Sequence, residues 1–69
     1  MAAYYVNDNA QASSGDHEVH VSTCGWFPLI ESKTYLGDYS SCVGAVAKAK
    51  TIYASSDGCM HCCPDCHKG

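Results

Sequence analysis

No stretch of this sequence is apolar for long enough to cross a membrane, and basic residues are scarce: Lys33, Lys48, Lys50 and Lys68 are the only four among 69 residues. A spanning helix needs about 20 apolar residues in succession, so no membrane partner is expected. The net charge of −3 argues against a nucleic-acid-binding surface, which carries a basic patch. Lys48 and Lys50 read as a solvated helix face instead. There is no phosphate-cradling glycine loop and no nucleophile elbow. His17-Glu18-Val19-His20 is not the zincin motif, because its histidines are three apart rather than four. No pair of titratable residues stands out for acid–base catalysis, so an enzyme is not expected. The start, Met1-Ala2-Ala3-Tyr4, shows neither the basic nor the apolar region of a signal peptide. On that reading the protein is cytoplasmic, where reduced thiols favour metal ligation over stable disulfides. Repeats, low-complexity tracts and long linkers are also missing, which leaves a single domain over residues 1–69.

What is abundant is sulfur and imidazole: six cysteines and four histidines. A domain of this length buries only about 60% of the surface of its unfolded chain, so its core alone is marginal. Small domains make up the difference with disulfides, a metal or a partner chain. The composition is otherwise that of a folded protein, with 46% apolar residues and five tyrosines.

The pattern predicts an α+β fold: a small antiparallel sheet of about three short strands packed on one helix, with a cysteine-rich C-terminal knuckle. Tyr4-Tyr5-Val6 is rich in strand formers and stops at Asn7-Asp8-Asn9. Residues 17–22 alternate, with His17, Val19 and Val21 on one face and Glu18 and His20 on the other. Thr34-Tyr35-Leu36, ended by Gly37-Asp38, is the third strand. Cys24 to Leu29 reads as a loop packing Trp26 and Phe27 inward. The helix is expected from about Ser41 to Ala54. Ser40 or Ser41 caps it, alanines favour it, and Cys42, Val46, Ala49 and Tyr53 form its apolar stripe. Ser55-Ser56-Asp57-Gly58 stops it.

The tail, Cys59-Met60-His61-Cys62-Cys63-Pro64-Asp65-Cys66-His67, has no hydrophobic periodicity, so something other than burial must order it. It contains two C-x-x-C units, Cys59/Cys62 and Cys63/Cys66. A tight turn at that spacing lets two thiolates converge on one ion, and zinc then takes two more ligands to complete a tetrahedron. His20-x-x-x-Cys24 supplies them where a strand leaves for a loop. The expected zinc site is therefore His20, Cys24, Cys59 and Cys62, with Cys63, Cys66, His67 and His17 as alternates. His17 shares its face with valines and is read first as a hydrogen-bonded structural residue. His61 is expected to face solvent. Cys42 is a small core residue, a thiolate favoured by the helix N-terminus, or a disulfide partner for Cys24. The competing reading joins Cys24, Cys42, Cys59, Cys62, Cys63 and Cys66 in disulfides of a secreted protein, with 15 connectivities open.

Two resemblances follow from these motifs. Tyr4-Tyr5-Val6-Asn7, Gly15-Asp16-His17-Glu18-Val19-His20, Tyr35-Leu36-Gly37 and the Gly58-Cys59 and Cys62-Cys63-x-x-Cys66-His67 segments resemble a family of short bacterial proteins with no assigned activity. That likeness covers nearly the whole chain and implies a bacterial cytosolic source. More distantly, the order strand, His20-x-x-x-Cys24, helix with Ala45 and Ala49, then Gly58-Cys59-x-x-Cys62 is similar to the metal-binding domain of the Ada DNA-repair family. The resemblance implies a zinc-stapled α+β fold with His20, Cys24, Cys59 and Cys62 as ligands. The chain departs from that family in having a histidine as first ligand, few basic residues, and Cys63 and Cys66 in addition.

The leading expectation is a small zinc-stabilised binding module whose metal is structural and whose partner is a protein, met through exposed tyrosines such as Tyr4 and Tyr39. Metal handling or redox exchange by the clustered thiols is the second reading. A disulfide-stapled secreted mini-protein is the third.

Overall fold

The computed structural model describes residues 1–25 and 27–68, so the expectation for Trp26 lies outside the described residues. The chain forms strand β1 (Ala2–Asn7), strand β2 (His17–Val21), strand β3 (Lys33–Tyr39), helix α1 (Cys42–Ala49) and strand β4 (Ser56–Gly58), with short 3₁₀ turns at Phe27–Leu29 and Pro64–Cys66. Among the described residues the strands make one sheet in the order β3-β1-β2-β4. β1 pairs antiparallel with β2 and β3, whereas β4 lies parallel to β2. The sheet is thus four-stranded and mixed, not three-stranded and antiparallel. Ser56-Asp57-Gly58 has none of the β-branched or aromatic residues that announce a strand. It becomes one because the chain leaving the helix pairs with β2 in the register His17↔Ser56 and Val19↔Gly58.

The core follows from strand alternation. Tyr4 and Val6 of β1, Val19 of β2 and Leu36 of β3 meet Cys42, Ala45 and Ala49 of α1. Among the described residues the largest fully buried side chains are Val6, Val19, Cys59 and Cys63. A buried valine contributes roughly 1.5–3 kcal/mol, so the apolar interior is thin and sulfur fills much of it. Tyr4 and Tyr39, expected at the surface, belong to this side. Tyr4 is buried and its ring meets that of Tyr39 edge-on at 6.2 Å, and the Tyr39 hydroxyl donates to the Leu36 carbonyl. The opposite face carries Tyr5, packed between Phe27 at 5.0 Å and Tyr35 at 5.2 Å.

Two elements depart from their expected limits for visible reasons. β3 runs through Gly37 instead of ending there. Tyr4 pairs with Gly37 and Tyr5 with Tyr35, leaving Leu36 as the extra residue of a bulge, and Gly37 takes the φ of +127° that the bulge requires. α1 stops at Ala49 rather than Ala54. The amides of Thr51 and Ile52 bond to Lys48 and Ala49 three residues back, and the Thr51 hydroxyl also donates to the Lys48 carbonyl, which closes the last turn. At the other end Ser41 is the cap, its hydroxyl accepting from the Val43 amide.

Tyr53 is thereby released from the helix to stack on His17, ring centroids 3.8 Å apart. Its hydroxyl donates to the Asp8 carboxylate, which also accepts from Thr34 at 2.6 Å and Ser32 at 2.8 Å. Asp8 thus ties the end of β1 to the start of β3 and to the chain after α1. These bonds, Thr34 foremost, hold its carboxyl below the usual carboxylate range. A depressed folded-state pKa stabilises above the unfolded pKa, and that stability is lost as pH falls through the folded value. Asp8→Asn is therefore expected to cost about 1 kcal/mol at neutral pH, the scale of one net hydrogen bond. In denaturant titrations its deficit against the parent protein should shrink as pH is lowered below the carboxylate range.

Candidate metal centre

β2 presents His20 on the face away from α1, next to the β4 edge. One step beyond the Val19↔Gly58 pair, the Cys59 amide bonds the Val19 carbonyl at 3.0 Å. That continuation of the ladder sets Cys59 beside His20. After β2 the chain turns at once, the Cys24 amide bonding the Val21 carbonyl at 2.9 Å, and the turn folds Cys24 back toward His20. In the tail the Cys63 amide reaches the Cys59 carbonyl at 2.7 Å. This single turn wraps the first C-x-x-C unit and brings Cys62 over Cys59.

The result is a cluster in which one ligand atom each of His20, Cys24, Cys59 and Cys62 lies within 4.8 Å of every other. The group is placed to hold a metal ion. His20 Nδ1 is 3.7 Å from Cys24 Sγ and 3.8 Å from Cys62 Sγ. With metal–sulfur bonds of about 2.3 Å and metal–nitrogen bonds of about 2.0 Å, the edges of a tetrahedral zinc site are roughly 3.5–3.8 Å. These two separations are close to such edges and long for direct hydrogen bonds. Burial pushes the Cys62 thiol well above its ordinary value, with the Cys24 hydrogen bond adding to it, and pushes the His20 imidazole down despite the charge of Glu18. Both shifts favour the neutral forms of Cys62 and His20. A divalent ion reverses that preference, because a coordinating thiol is deprotonated outright.

The other nitrogen of His20, Nε2, faces the Glu18 carboxylate at 3.6 Å. A carboxylate behind a metal-bound imidazole fixes the tautomer, here leaving Nδ1 for the metal, and raises ligand basicity. At this distance, and with the imidazole held neutral, Glu18 acts through its charge rather than as an ion pair. Strand alternation had already put Glu18 and His20 on one face; the orienting role needed the atomic positions.

The alternates lie elsewhere. Cys66 is joined to Cys42 in a disulfide spanning 24 residues of sequence, so Cys42 pairs neither with Cys24 nor as a free core thiol. Cys24, Cys59, Cys62 and Cys63 are free thiols, which makes one disulfide rather than three. Cys63 is buried on the helix side, its Sγ 3.9 Å from that of Cys62, and burial raises its pKa. His17 donates from Nδ1 to the Asn7 carbonyl at 2.9 Å, the structural role expected first. His67 Nδ1 meets the Gly58 carbonyl at 3.0 Å and Asp57 at 3.4 Å. His61 is exposed on the knuckle. Asp57, read in the sequence only as part of the helix stop, accepts the Lys68 amide on both carboxylate oxygens.

The two C-x-x-C units therefore do different work. The first joins the His20 and Cys24 group placed to hold an ion beside β2, and Cys66 of the second clamps the tail to α1. Comparison with protein-family models, with curated proteins and with solved structures finds no match, so the residues themselves carry the functional reading. No helix among the described residues is long and apolar enough to cross a membrane.

Gly58 is the hinge of this arrangement. A Cβ there would lie 2.8 Å from the Cys63 carbonyl oxygen and 2.8 Å from Cys66 Cβ, and backbone cannot step aside. Gly58→Ala is expected to lift the knuckle off β4 at a cost of about 1–3 kcal/mol. Metal affinity should fall with it although no ligand is altered, as a competition titration against a chromogenic chelator would show. The Cys42→Ala/Cys66→Ala double variant is expected to lose about 3 kcal/mol from the removed cross-link, read as a lower denaturation midpoint with the metal site still able to load.

Proposed function

We propose that the protein is a small zinc-stabilised binding module in which the ion is structural. The observation that carries this is the Cys₃His set of His20, Cys24, Cys59 and Cys62, whose ligand atoms all lie within 4.8 Å of one another. Four protein ligands leave no position for a substrate, the mark of a structural rather than a catalytic zinc. Thiolate and imidazole donors suit zinc among the common cytosolic ions, and do not suit magnesium or calcium. The ion would fasten to the sheet a tail whose composition cannot order it. The apparent binding energy of such sites, about 10–16 kcal/mol, is of the order of the whole stability of an ordinary domain.

On this reading the partner is a protein. The outer sheet face offers Tyr5, Phe27 and Tyr35 as adjoining rings, with Lys33 Nζ 4.9 Å above Phe27. Tyr35 is 53% exposed and the neighbouring Leu29 68%. Aromatic residues supply large contact area at low entropic cost, and the acidic net charge disfavours nucleic acid. The disulfide Cys42–Cys66 suits an oxidising compartment, whereas four free thiols suit a reducing one.

Cobalt substitution tests the proposal. Co²⁺ added to the metal-free protein should give one equivalent of tetrahedral thiolate spectrum, displaced stoichiometrically by Zn²⁺. Loading at neutral pH should release about three protons, one for each cysteine ligand, measurable by calorimetry in buffers of different ionisation enthalpy. Cys59→Ser should abolish the spectrum, while Cys63→Ser should leave it intact. An octahedral spectrum, or no uptake, would overturn the assignment.

A further inference from the structure

The four ligands are not equally protected. His20 is 3% exposed, Cys24 6% and Cys59 2%, whereas Cys62 alone is only partly buried. Cys62 opens onto a cleft of about 560 Å³ lined by Thr23, Cys24, Gly25, Leu29, His61 and Cys62 itself. A Cβ added at Gly25 would meet nothing within 4 Å apart from its chain neighbours. The cleft borders two cysteines of the cluster, Cys24 and Cys62, of which Cys62 is the less buried, and the sulfurs of Cys24 and Cys59 both stand within 4.8 Å of its own.

We propose that Cys62 is an oxidation site through which a small hydroperoxide opens the metal centre and releases its ion. The proposal rests on the zinc reading above. A metal-bound sulfur is held as thiolate, and the thiolate is the nucleophile in such oxidations. The Cys62 thiolate attacks the terminal peroxide oxygen; an S–O bond forms, the O–O bond breaks, and the hydroperoxide leaves as alcohol or water after taking a proton. Sulfur has lost two electrons and Cys62 is a sulfenic acid. The thiolate of Cys24 or Cys59 then attacks that sulfur; an S–S bond forms, the S–O bond breaks, and the hydroxide leaves as water with a second proton. The ion loses two of its four ligands and departs. Cys63 is not the resolving thiol although its Sγ is 3.9 Å away. Adjacent Cα atoms are about 3.8 Å apart, closer than the roughly 4.4–6.8 Å of ordinary disulfides. Cys42 and Cys66 are already joined and do not compete. Zinc loss then removes the ion that joined the tail to β2. A Cys62–Cys59 bond lies within the tail and frees it on the sheet side, whereas a Cys62–Cys24 bond keeps it tied to the turn after β2. In either case the Cys42–Cys66 disulfide still holds it to α1, so the change is a local rearrangement rather than unfolding.

The test uses the full chain loaded with zinc, its content verified by native mass. Hydrogen peroxide is added with a chromogenic zinc indicator and a sulfenic-acid trap, and modified peptides are mapped. The expected result is the trap on Cys62 first, zinc release in step with it, and Cys62 joined to Cys24 or Cys59 when the trap is omitted. Cys62→His keeps a tetrahedral Cys₂His₂ set and should release zinc at least ~10-fold more slowly, since imidazole does not enter the thiol oxidation ladder. First modification at Cys24 or Cys59, or zinc release without modification of Cys62, would overturn the proposal while leaving the zinc reading intact. A chain that takes up no zinc would overturn both.

Discussion

The structure depends on one convergence: three sulfurs and one imidazole brought together at the junction of β2 and the C-terminal tail. Everything else in the fold is small. The sheet has short strands, the helix spans Cys42–Ala49, and no side chain larger than valine is fully buried among the described residues. The tail after Gly58 contributes cysteines, a proline and polar residues, and could not hold itself against the sheet by apolar burial. It is held from two sides, by the Cys42–Cys66 disulfide to α1 and by the Cys59/Cys62 pair beside His20 and Cys24.

This division gives each part of the chain a reason. β4 must be thin, because the knuckle closes over it, and Gly58 is where the two backbones approach. β2 must alternate, because Val19 belongs to the core while His20 belongs to the cluster on the other face. Glu18 completes that face by aiming its charge at the far nitrogen of His20. Asp8 plays the corresponding part at the other end of the sheet, gathering Ser32, Thr34 and Tyr53 into one anchor.

Much of this was legible in the residues. The α+β class, the alternating second strand and the Cys42 and Ala49 part of the helix stripe follow from periodicity; Ala45 is buried in that stripe instead of Tyr53, which lies beyond the helix. The grouping of His20, Cys24, Cys59 and Cys62 follows from two short spacings and the need to order the tail. What was not legible depended on tertiary context. Ser56-Asp57-Gly58 carries no strand signal, since its conformation is imposed by pairing with β2. The helix closes early because Thr51 back-bonds to Lys48, a choice side-chain pattern does not show. Gly37 reads as a terminator yet serves as a bulge. Tyr4 and Tyr39 read as surface residues because tyrosine is amphipathic, but with so little aliphatic bulk available their rings fill the core. The disulfide was hidden among many possible pairings, and only the docking of the Pro64–Cys66 turn on the start of α1 singles out Cys42 and Cys66.

The central claim is that sulfur holds the tail in two chemically distinct ways at once, one covalent and one through a metal. Intact mass of protein purified without added metal or oxidant, recorded native and denatured, tests it most directly. The account predicts one zinc per chain in the native spectrum and, after denaturation, a mass two hydrogens below the fully reduced chain, from the single Cys42–Cys66 bond. A metal-free chain six hydrogens light, with all six cysteines paired, would contradict it.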